Sequence, residues 1–314
     1  MLVLTALLVF DQGIFGFFLG AAVASMVVAL LGWFRIREYL AFDRLHVDWW
    51  PQLLRFGAPL VPAELAMYFM NTADRWFVQY YHGEEALGLF AVGAKFSMLL
   101  ALVVETFRKA WWPIAMDSMY SDDGPETFRM IARLYMGLAC AGVVGLTLLS
   151  SWLVQWLTAS EFHDAWSIVG ILAWQAVFYG FFLIASAGIW KAEKTYLNLY
   201  LMGGAAILGI GMNWILVPPY GGMGAAVATV VTYLAWVLVS MMVSESLWRV
   251  AFSYGSLLLQ ISSGAVFVLW YLSMSPNIEP VTALSVGLIV IILQLGSTVE
   301  LRTLRIFIRS LKTV

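Results

Sequence analysis

The sequence predicts an all-α protein that crosses the membrane many times, and three observations support this fold class. Of the 314 residues, 62% are hydrophobic and only 11% are charged, whereas a soluble domain carries roughly a quarter charged residues. The mean hydropathy is +0.86. Apolar stretches of spanning length recur along the chain, and basic residues cluster in every second connection between them.

Nine apolar stretches are each long enough to cross the hydrocarbon core, which takes about 20 residues of α-helix. A shorter apolar stretch, residues 1–10, precedes them, so we expect the chain to begin inside a transmembrane helix. The predicted full spans are 13–34, 56–81, 86–107, 129–154, 165–189, 196–217, 221–243, 253–273 and 281–300.

The basic residues predict the orientation of these spans. Alternate connections carry Arg or Lys, and the connections between them carry none. Because cytoplasmic connections hold the excess of basic residues, the C-terminal tail is predicted to lie in the cytoplasm. Arg75 and Lys95 are exceptions, since neither belongs to a predicted cytoplasmic connection.

Known catalytic and metal-binding patterns are missing from the sequence. It contains no GxxxxGK[ST] phosphate-binding loop, no GxSxG and no HExxH. The single cysteine, Cys140, lies in an apolar span, and no Cys/His set has metal-ligand spacing. The sequence therefore predicts no enzyme, no cofactor, no metal site and no nucleic-acid partner.

Polar residues inside the spans 56–81 and 86–107 carry the main functional signal. Such residues are expensive in hydrocarbon and usually face a protein interior or a wet cavity. Four of them share one face of the first span, because their spacing of four, three and four residues follows the helical repeat. These four are Glu64, Tyr68, Asn71 and Arg75.

Two interpretations of these residues stay open. In the functional one, Arg75 and Lys95 lie at similar depth and hold an anionic group such as a phosphate, while Glu64 and Asp74 are candidate sites of proton or cation coupling. In the structural one, Asp74 pairs with Lys95 or Arg75 and pins the helices together. The predicted substrate-binding residues are Arg75, Lys95, Asn71 and Tyr68.

Two separated motifs resemble those of bacterial polysaccharide and O-antigen flippases, in the multidrug/oligosaccharidyl-lipid/polysaccharide exporter superfamily. The first comprises LRFGAPLVPA (54–63), DRWF (74–77), ALGLFAVGAK (86–95) and AWWP (110–113). The second comprises KAEKT (191–195), Asn213 and PPYGGMGAAVAT (218–229). The resemblance covers roughly residues 13–245.

The resemblance implies a MATE-like bundle of two six-helix lobes that works by alternating access. Its members move undecaprenyl-diphosphate-linked oligosaccharides across the bacterial plasma membrane, and cavity Arg and Lys residues meet the diphosphate. Arg75 and Lys95 are the positions that could play this part. The lipid bilayer is the expected setting, with glycan polymerase or ligase machinery as expected partners.

The resemblance also suggests a domain organisation in which most of the first lobe is absent, as in an N-terminally truncated protein. Residues 1–34 would be its remnant and 35–55 a cytoplasmic amphipathic connector. Residues 56–250 would form the second six-helix lobe, and 251–314 an additional helix pair with a basic tail. Two other functions remain open: a drug or cation antiporter, and a non-transporting half-molecule or partner subunit.

Overall fold

The computed structural model describes residues 13–37, 50–274 and 278–298, and every regular element in these ranges is helical. The predicted all-α class is therefore confirmed. The apolar stretch at 1–10, most of the predicted connector at 35–55 and the basic tail after residue 298 lie outside the described residues.

The described chain forms nine α-helices and one 3₁₀-helix, Ser160–Ala165, which precedes α5. In order, the α-helices are α1 (Gly13–Ile36), α2 (Trp50–Gly57), α3 (Leu60–Ser118), α4 (Gly124–Leu157), α5 (Trp166–Ala185), α6 (Ala187–Lys191), α7 (Tyr196–Leu247), α8 (Tyr254–Met274) and α9 (Pro280–Gly296).

Helices α3 and α7 are each interrupted at one glycine. Gly83 interrupts α3 with φ 81° and ψ −173°, and Gly221 interrupts α7 with φ 55° and ψ −135°. Glycine is the residue that reaches such backbone angles without a Cβ penalty. Each helix is therefore two arms that meet at a turn, where the sequence predicts a connection between two spans.

Six helices in the described ranges are long and apolar enough to cross a membrane. Two of them contain the interruptions at Gly83 and Gly221, and the shorter helix α9 adds a further apolar segment. Division at the two glycines gives nine segments over the described residues, in agreement with the nine predicted spans. The chain is thus a polytopic membrane protein.

The helix after Gly83 is longer than predicted. The sequence places its end near residue 107, yet α3 continues to Ser118 and includes Pro113. Helix α4 then begins at Gly124 with Pro125 in its first turn, where a missing backbone N–H breaks no intrahelical hydrogen bond. The short cytoplasmic helix and turn that the sequence predicts within residues 108–128 are therefore the last part of α3 and the connection 119–123.

The described residues divide into two compact units, one that ends at Leu54 and one that begins at Arg55. In the first unit, α1 is an apolar helix whose described side chains are mostly exposed. The second unit is a helical bundle around α5, which is buried over nearly its whole length. Helices α3, α4 and α7 pack around α5, and α8 and α9 pack against α4.

The turns of the two interrupted helices contact each other. The Nε2–H of His82 donates to the carbonyl oxygen of Val217 at 2.9 Å, and the ring of His82 also lies beside Gly221. One hydrogen bond therefore joins the turn of α3 to the turn of α7, and both turns lie at the same end of the bundle.

Candidate functional site

A cavity of about 450 Å³ opens within the second unit, between α3, α5 and α7. Its lining residues are Met67, Asn71, Thr72, Asp74, Arg75, Ala94, Ser97, Met98, Ala101, Glu105, Leu172, Gln175, Ala176, Tyr179 and Tyr233.

The fold-back of α3 at Gly83 creates this cavity. Met67 and Glu105 both line it, although a continuous helix would hold two residues of that separation about 57 Å apart, at 1.5 Å per residue. The first arm, residues 60–82, and the second arm, residues 84–118, therefore run side by side. Each arm contributes lining residues at helical spacing, so one face of each arm is turned to the cavity.

A cluster of hydrogen-bonded polar side chains joins three helices at the cavity wall. Oδ1 of Asn71 accepts the Nε2–H of Gln175 at 2.7 Å and the hydroxyl of Tyr233 at 2.8 Å. The side-chain N–H of Asn71 donates to the carbonyl oxygen of Met67 at 2.8 Å. Uncharged amide and hydroxyl groups thus provide hydrogen-bonding capacity within an otherwise apolar bundle.

Asp74 lies beside this cluster but turns its carboxylate toward α7. Its side chain is only 6% exposed. Oδ1 accepts the backbone N–H of Arg75 at 2.7 Å, and Oδ2 accepts the hydroxyl of Thr229 at 3.5 Å. In the described ranges Asp74 forms no ion pair, so the pairing with Lys95 or Arg75 that would pin the helices is not observed.

A second, much smaller cavity of about 10 Å³ is lined in part by Thr229. Asn213, Thr229 and Thr232 supply its polar lining. Asn213 is 4% exposed; its amide N–H donates to the carbonyl oxygen of Gly209, whereas its Oδ1 has no hydrogen-bond partner in the described structure. Thr229 thus contacts Asp74, which lines the large cavity, and itself lines the small cavity together with Asn213.

The charged lining residues occupy different parts of the large cavity. Arg75 follows Asp74 on the first arm, near the turn at Gly83. Glu105 lies near the other end of the second arm, where it forms an ion pair of 2.7 Å with Arg108. Arg108 itself is not a lining residue.

The predicted site residues divide into two groups in the structure. The cavity brings together Asn71, Asp74 and Arg75. Glu64, Tyr68 and Lys95 are exposed and are not among the lining residues. All three adjoin the cavity along their helices, because each lies three residues before a lining residue, and this spacing places side chains on neighbouring positions of one face.

Several polar lining residues were not predicted as site residues. Gln175 and Tyr179 share a face of α5, and their four-residue spacing was the available signal. Tyr233 follows Thr229 by four residues in the same way. Ser97 gives no pattern that separates it from an ordinary packing residue, since its hydroxyl donates to the carbonyl oxygen of Ala94 on its own helix.

Residues 1–119 match the family model described as "Polysaccharide biosynthesis protein". The match covers the first motif of the resemblance and the first helical hairpin of the second unit. The resemblance to the polysaccharide flippase family is confirmed. No curated protein matches the chain at a significant level.

The fold of a solved flippase agrees with this family. The chain is similar in structure to the lipid II flippase MurJ in an inward closed conformation, with a TM-score of 0.60 and 15% sequence identity. The similarity covers 89% of this chain and 60% of MurJ. At this identity the likeness establishes the fold, and the chain spans about three fifths of the length of MurJ.

Proposed function

We propose that this protein takes part in moving lipid-linked oligosaccharides across the membrane for the synthesis of a surface polysaccharide such as O-antigen. The substrate would be an undecaprenyl-diphosphate glycan, and translocation would proceed by alternating access. The flippase family and the MurJ-like fold support transport of a lipid-linked substrate. The cavity between α3, α5 and α7 is the observation that carries the proposal.

The chemistry of the cavity suits such a substrate. Arg75 can hold a phosphate oxygen pair with its planar guanidinium group. The amides of Asn71 and Gln175 and the hydroxyl of Tyr233 can bind sugar hydroxyl groups, which both donate and accept hydrogen bonds. The polyprenyl chain needs no polar partner and would stay in the hydrocarbon, outside the cavity.

Lys95 and Tyr68 remain part of this proposal as residues at the margin of the cavity. Lys95 immediately follows the lining residue Ala94, and Tyr68 lies one turn before the lining residue Thr72. Long side chains at these positions can reach a ligand larger than the cavity, as a lipid-linked oligosaccharide is. Lys95 would add a second positive charge for the diphosphate.

We also propose that Asp74 couples translocation to a proton or a small cation. Its carboxylate, the Thr229 hydroxyl and the unpaired oxygen of Asn213 offer hard oxygen ligands. The small cavity between Thr229 and Asn213 is about the size that one water-sized particle needs. Glu64, the other predicted coupling residue, is exposed and lines neither cavity, which favours Asp74.

The setting proposed for this function is the plasma membrane of a bacterium, with the C-terminal tail in the cytoplasm. The alternation of basic connections supports this orientation. A flipped glycan must next be polymerised or ligated, so polymerase or ligase machinery is the proposed partner.

Complementation of a flippase-deficient strain tests the proposal. Cells that express the protein should regain surface glycan. Arg75→Ala and Lys95→Ala together should lower it at least about 100-fold if each contact contributes the roughly 1.5–3 kcal/mol of a charge-assisted hydrogen bond. Lys109→Ala is the matched control, since Lys109 is exposed and outside the cavity. Normal surface glycan in the double variant, at normal protein level, would contradict the assignment of the substrate site.

Export of cationic drugs is the competing function, and one observation favours it. Two carboxylates, those of Asp74 and Glu105, line the cavity and could attract a cation. This function predicts resistance to cationic dyes and antibiotics in cells that express the protein, with loss of resistance in Glu105→Gln. Resistance without restored surface glycan would favour the drug transporter.

A further inference from the structure

We infer that the cavity selects glycans without acidic sugars, and that Glu105 is the residue that determines this specificity. The inference rests on the proposed function, because it assumes that the cavity receives a diphosphate-linked glycan. It concerns the sugar portion of the substrate, which the family and the fold leave undefined.

The charged groups lie at different heights along the cavity. Arg75 lies eight residues before the turn at Gly83, and Glu105 lies 22 residues after it. Since the two arms run side by side from this turn, the residues differ in height by about 21 Å at 1.5 Å per residue. The cavity thus has a positive group toward its turn end and a negative group at the opposite end.

Uncharged polar groups lie in the interval between Arg75 and Glu105. Asn71 lies 12 residues before Gly83 and therefore falls between Arg75 and Glu105 in height. It forms the uncharged cluster with Gln175 and Tyr233. Apart from Asp74, whose carboxylate is turned to Thr229, the lining residues between Arg75 and Glu105 are uncharged. Lys95, at the height of Asn71, adjoins this interval without lining it.

The order of groups in the proposed substrate matches this arrangement. A lipid-linked glycan carries its diphosphate between the lipid and the first sugar. With the diphosphate at Arg75, the sugars extend along the uncharged interval, and the more distant ones approach Glu105. A substrate in the reverse direction would bring its diphosphate to the carboxylate of Glu105, where like charges repel.

The two carboxylate oxygens of Glu105 differ in their contacts. Both hydrogen-bonding contacts from Arg108 go to Oε2, at 2.9 Å from Nε and 2.7 Å from the terminal nitrogen. Oε1 accepts no hydrogen bond from a residue within the described ranges, so it can accept one from a sugar hydroxyl. A sugar carboxylate brought to the same oxygen would meet a like charge, at a side chain that is 41% exposed and paired with Arg108.

Binding of two matched synthetic lipids to the purified protein in phosphatidylethanolamine nanodiscs tests the inference. Both lipids are polyprenyl diphosphates with a short chain of glucose residues, and in the second lipid one glucose is replaced by glucuronic acid. The two differ only by a carboxylate in place of a hydroxymethyl group. The acid is placed at each sugar position in turn, and dissociation constants are measured by competition with a fluorescent neutral lipid.

The neutral lipid should bind about tenfold more tightly than the lipid with the acid at the position nearest Glu105, which corresponds to one modest like-charge repulsion. Glu105→Gln should reduce this ratio to about threefold or less by removal of the repelling charge. Glu85→Gln is the matched control, because Glu85 is exposed and does not line the cavity, and it should keep the wild-type ratio.

The outcomes test the proposed function and the role of Glu105 separately. Failure of both lipids to bind would overturn the proposed function and, with it, the inference. Three results would overturn the assignment of Glu105 alone. They are equal binding of the two lipids, an unchanged ratio in Glu105→Gln, and tighter binding of the acidic lipid that Arg108→Gln abolishes.

Discussion

The hydroxyl of Tyr233 donates a hydrogen bond to Oδ1 of Asn71 at 2.8 Å, although 162 positions separate the two residues in the chain. Gln175 donates to the same oxygen from a third helix. A single acceptor thus joins α3, α5 and α7 at the wall of the cavity. Loss of this acceptor would remove the partner of the Gln175 amide and leave the Tyr233 hydroxyl with the sulfur of Met67 at 3.5 Å.

A double-mutant cycle of Asn71→Ala and Tyr233→Phe should measure this contact. We expect a coupling free energy of about 0.6 kcal/mol, and at most about 1.7 kcal/mol, as found for hydrogen bonds between membrane helices. Reversible unfolding in mixed micelles gives the four free energies. Tyr68→Phe is the control, since Tyr68 is 63% exposed and outside the cavity. A coupling of zero would contradict a stabilising role for the bond.

Asp74→Asn should abolish the dependence of transport on the coupling ion and leave binding of the neutral lipid intact. The amide keeps the shape of the side chain but lacks the negative charge that holds a proton or cation. Transport into proteoliposomes, with a sodium gradient or a pH gradient imposed separately, provides the measurement. Glu64→Gln should retain the dependence. The reverse result, with dependence lost only in the Glu64 variant, would reassign the coupling site.

The fold can be predicted from the sequence because the hydrocarbon core of the membrane imposes simple rules. Every backbone group in the membrane must be paired within a helix, so runs of apolar residues predict spans directly. The turns at Gly83 and Gly221 fall where short, polar or proline-containing stretches predict connections. The sequence predicts a span that ends near residue 107 and a short helix after it, but it does not predict that the two are continuous as far as Ser118, because Pro113 suggests an interruption.

The site can be predicted only in part from the sequence, for a physical reason. Helical spacing shows that Asn71 and Arg75 share a face, but it does not show which helix that face meets. The partners of Asn71 and Asp74 come from α5 and α7, more than 100 positions away. The proposed roles of Tyr68, Lys95 and Glu64 stay predictions, since these exposed residues adjoin the cavity without lining it.

Gly83→Ala should destabilise the protein by about 1–3 kcal/mol, the usual cost of a residue held in a sparsely populated backbone region. Gly83 has φ 81° and ψ −173°, and an added Cβ would meet no atom within 4 Å, so the cost would come from the backbone alone. Mixed-micelle unfolding measures it.

Gly204→Ala is the control for this prediction. Its added Cβ also meets no atom within 4 Å, but Gly204 lies inside the helical part of α7, where alanine is preferred by about 0.5–1 kcal/mol. Equal effects of the two substitutions would show that the turn at Gly83 tolerates ordinary residues.

Gly180→Ala should destabilise the bundle through contact with Tyr135 rather than through the backbone. A Cβ at Gly180 would overlap the hydroxyl of Tyr135 and lie 2.7 Å from a side-chain carbon of Val104. The Tyr135 hydroxyl cannot move freely, because it donates to the carbonyl oxygens of Ala176 and Val177 on α5. Overpacking of this kind costs about 1–3 kcal/mol.

The double variant Gly180→Ala/Tyr135→Phe identifies the cause of that cost. Removal of the hydroxyl relieves the nearest overlap, so Tyr135→Phe should lower stability in the wild-type background, where it loses hydrogen bonds, and raise it in the Gly180→Ala background. Gly145→Ala, whose Cβ meets no atom within 4 Å, should remain close to wild type in the same unfolding assay. If Tyr135→Phe lowers stability equally in both backgrounds, the close packing of α4 on α5 at this point is not the reason that position 180 requires glycine.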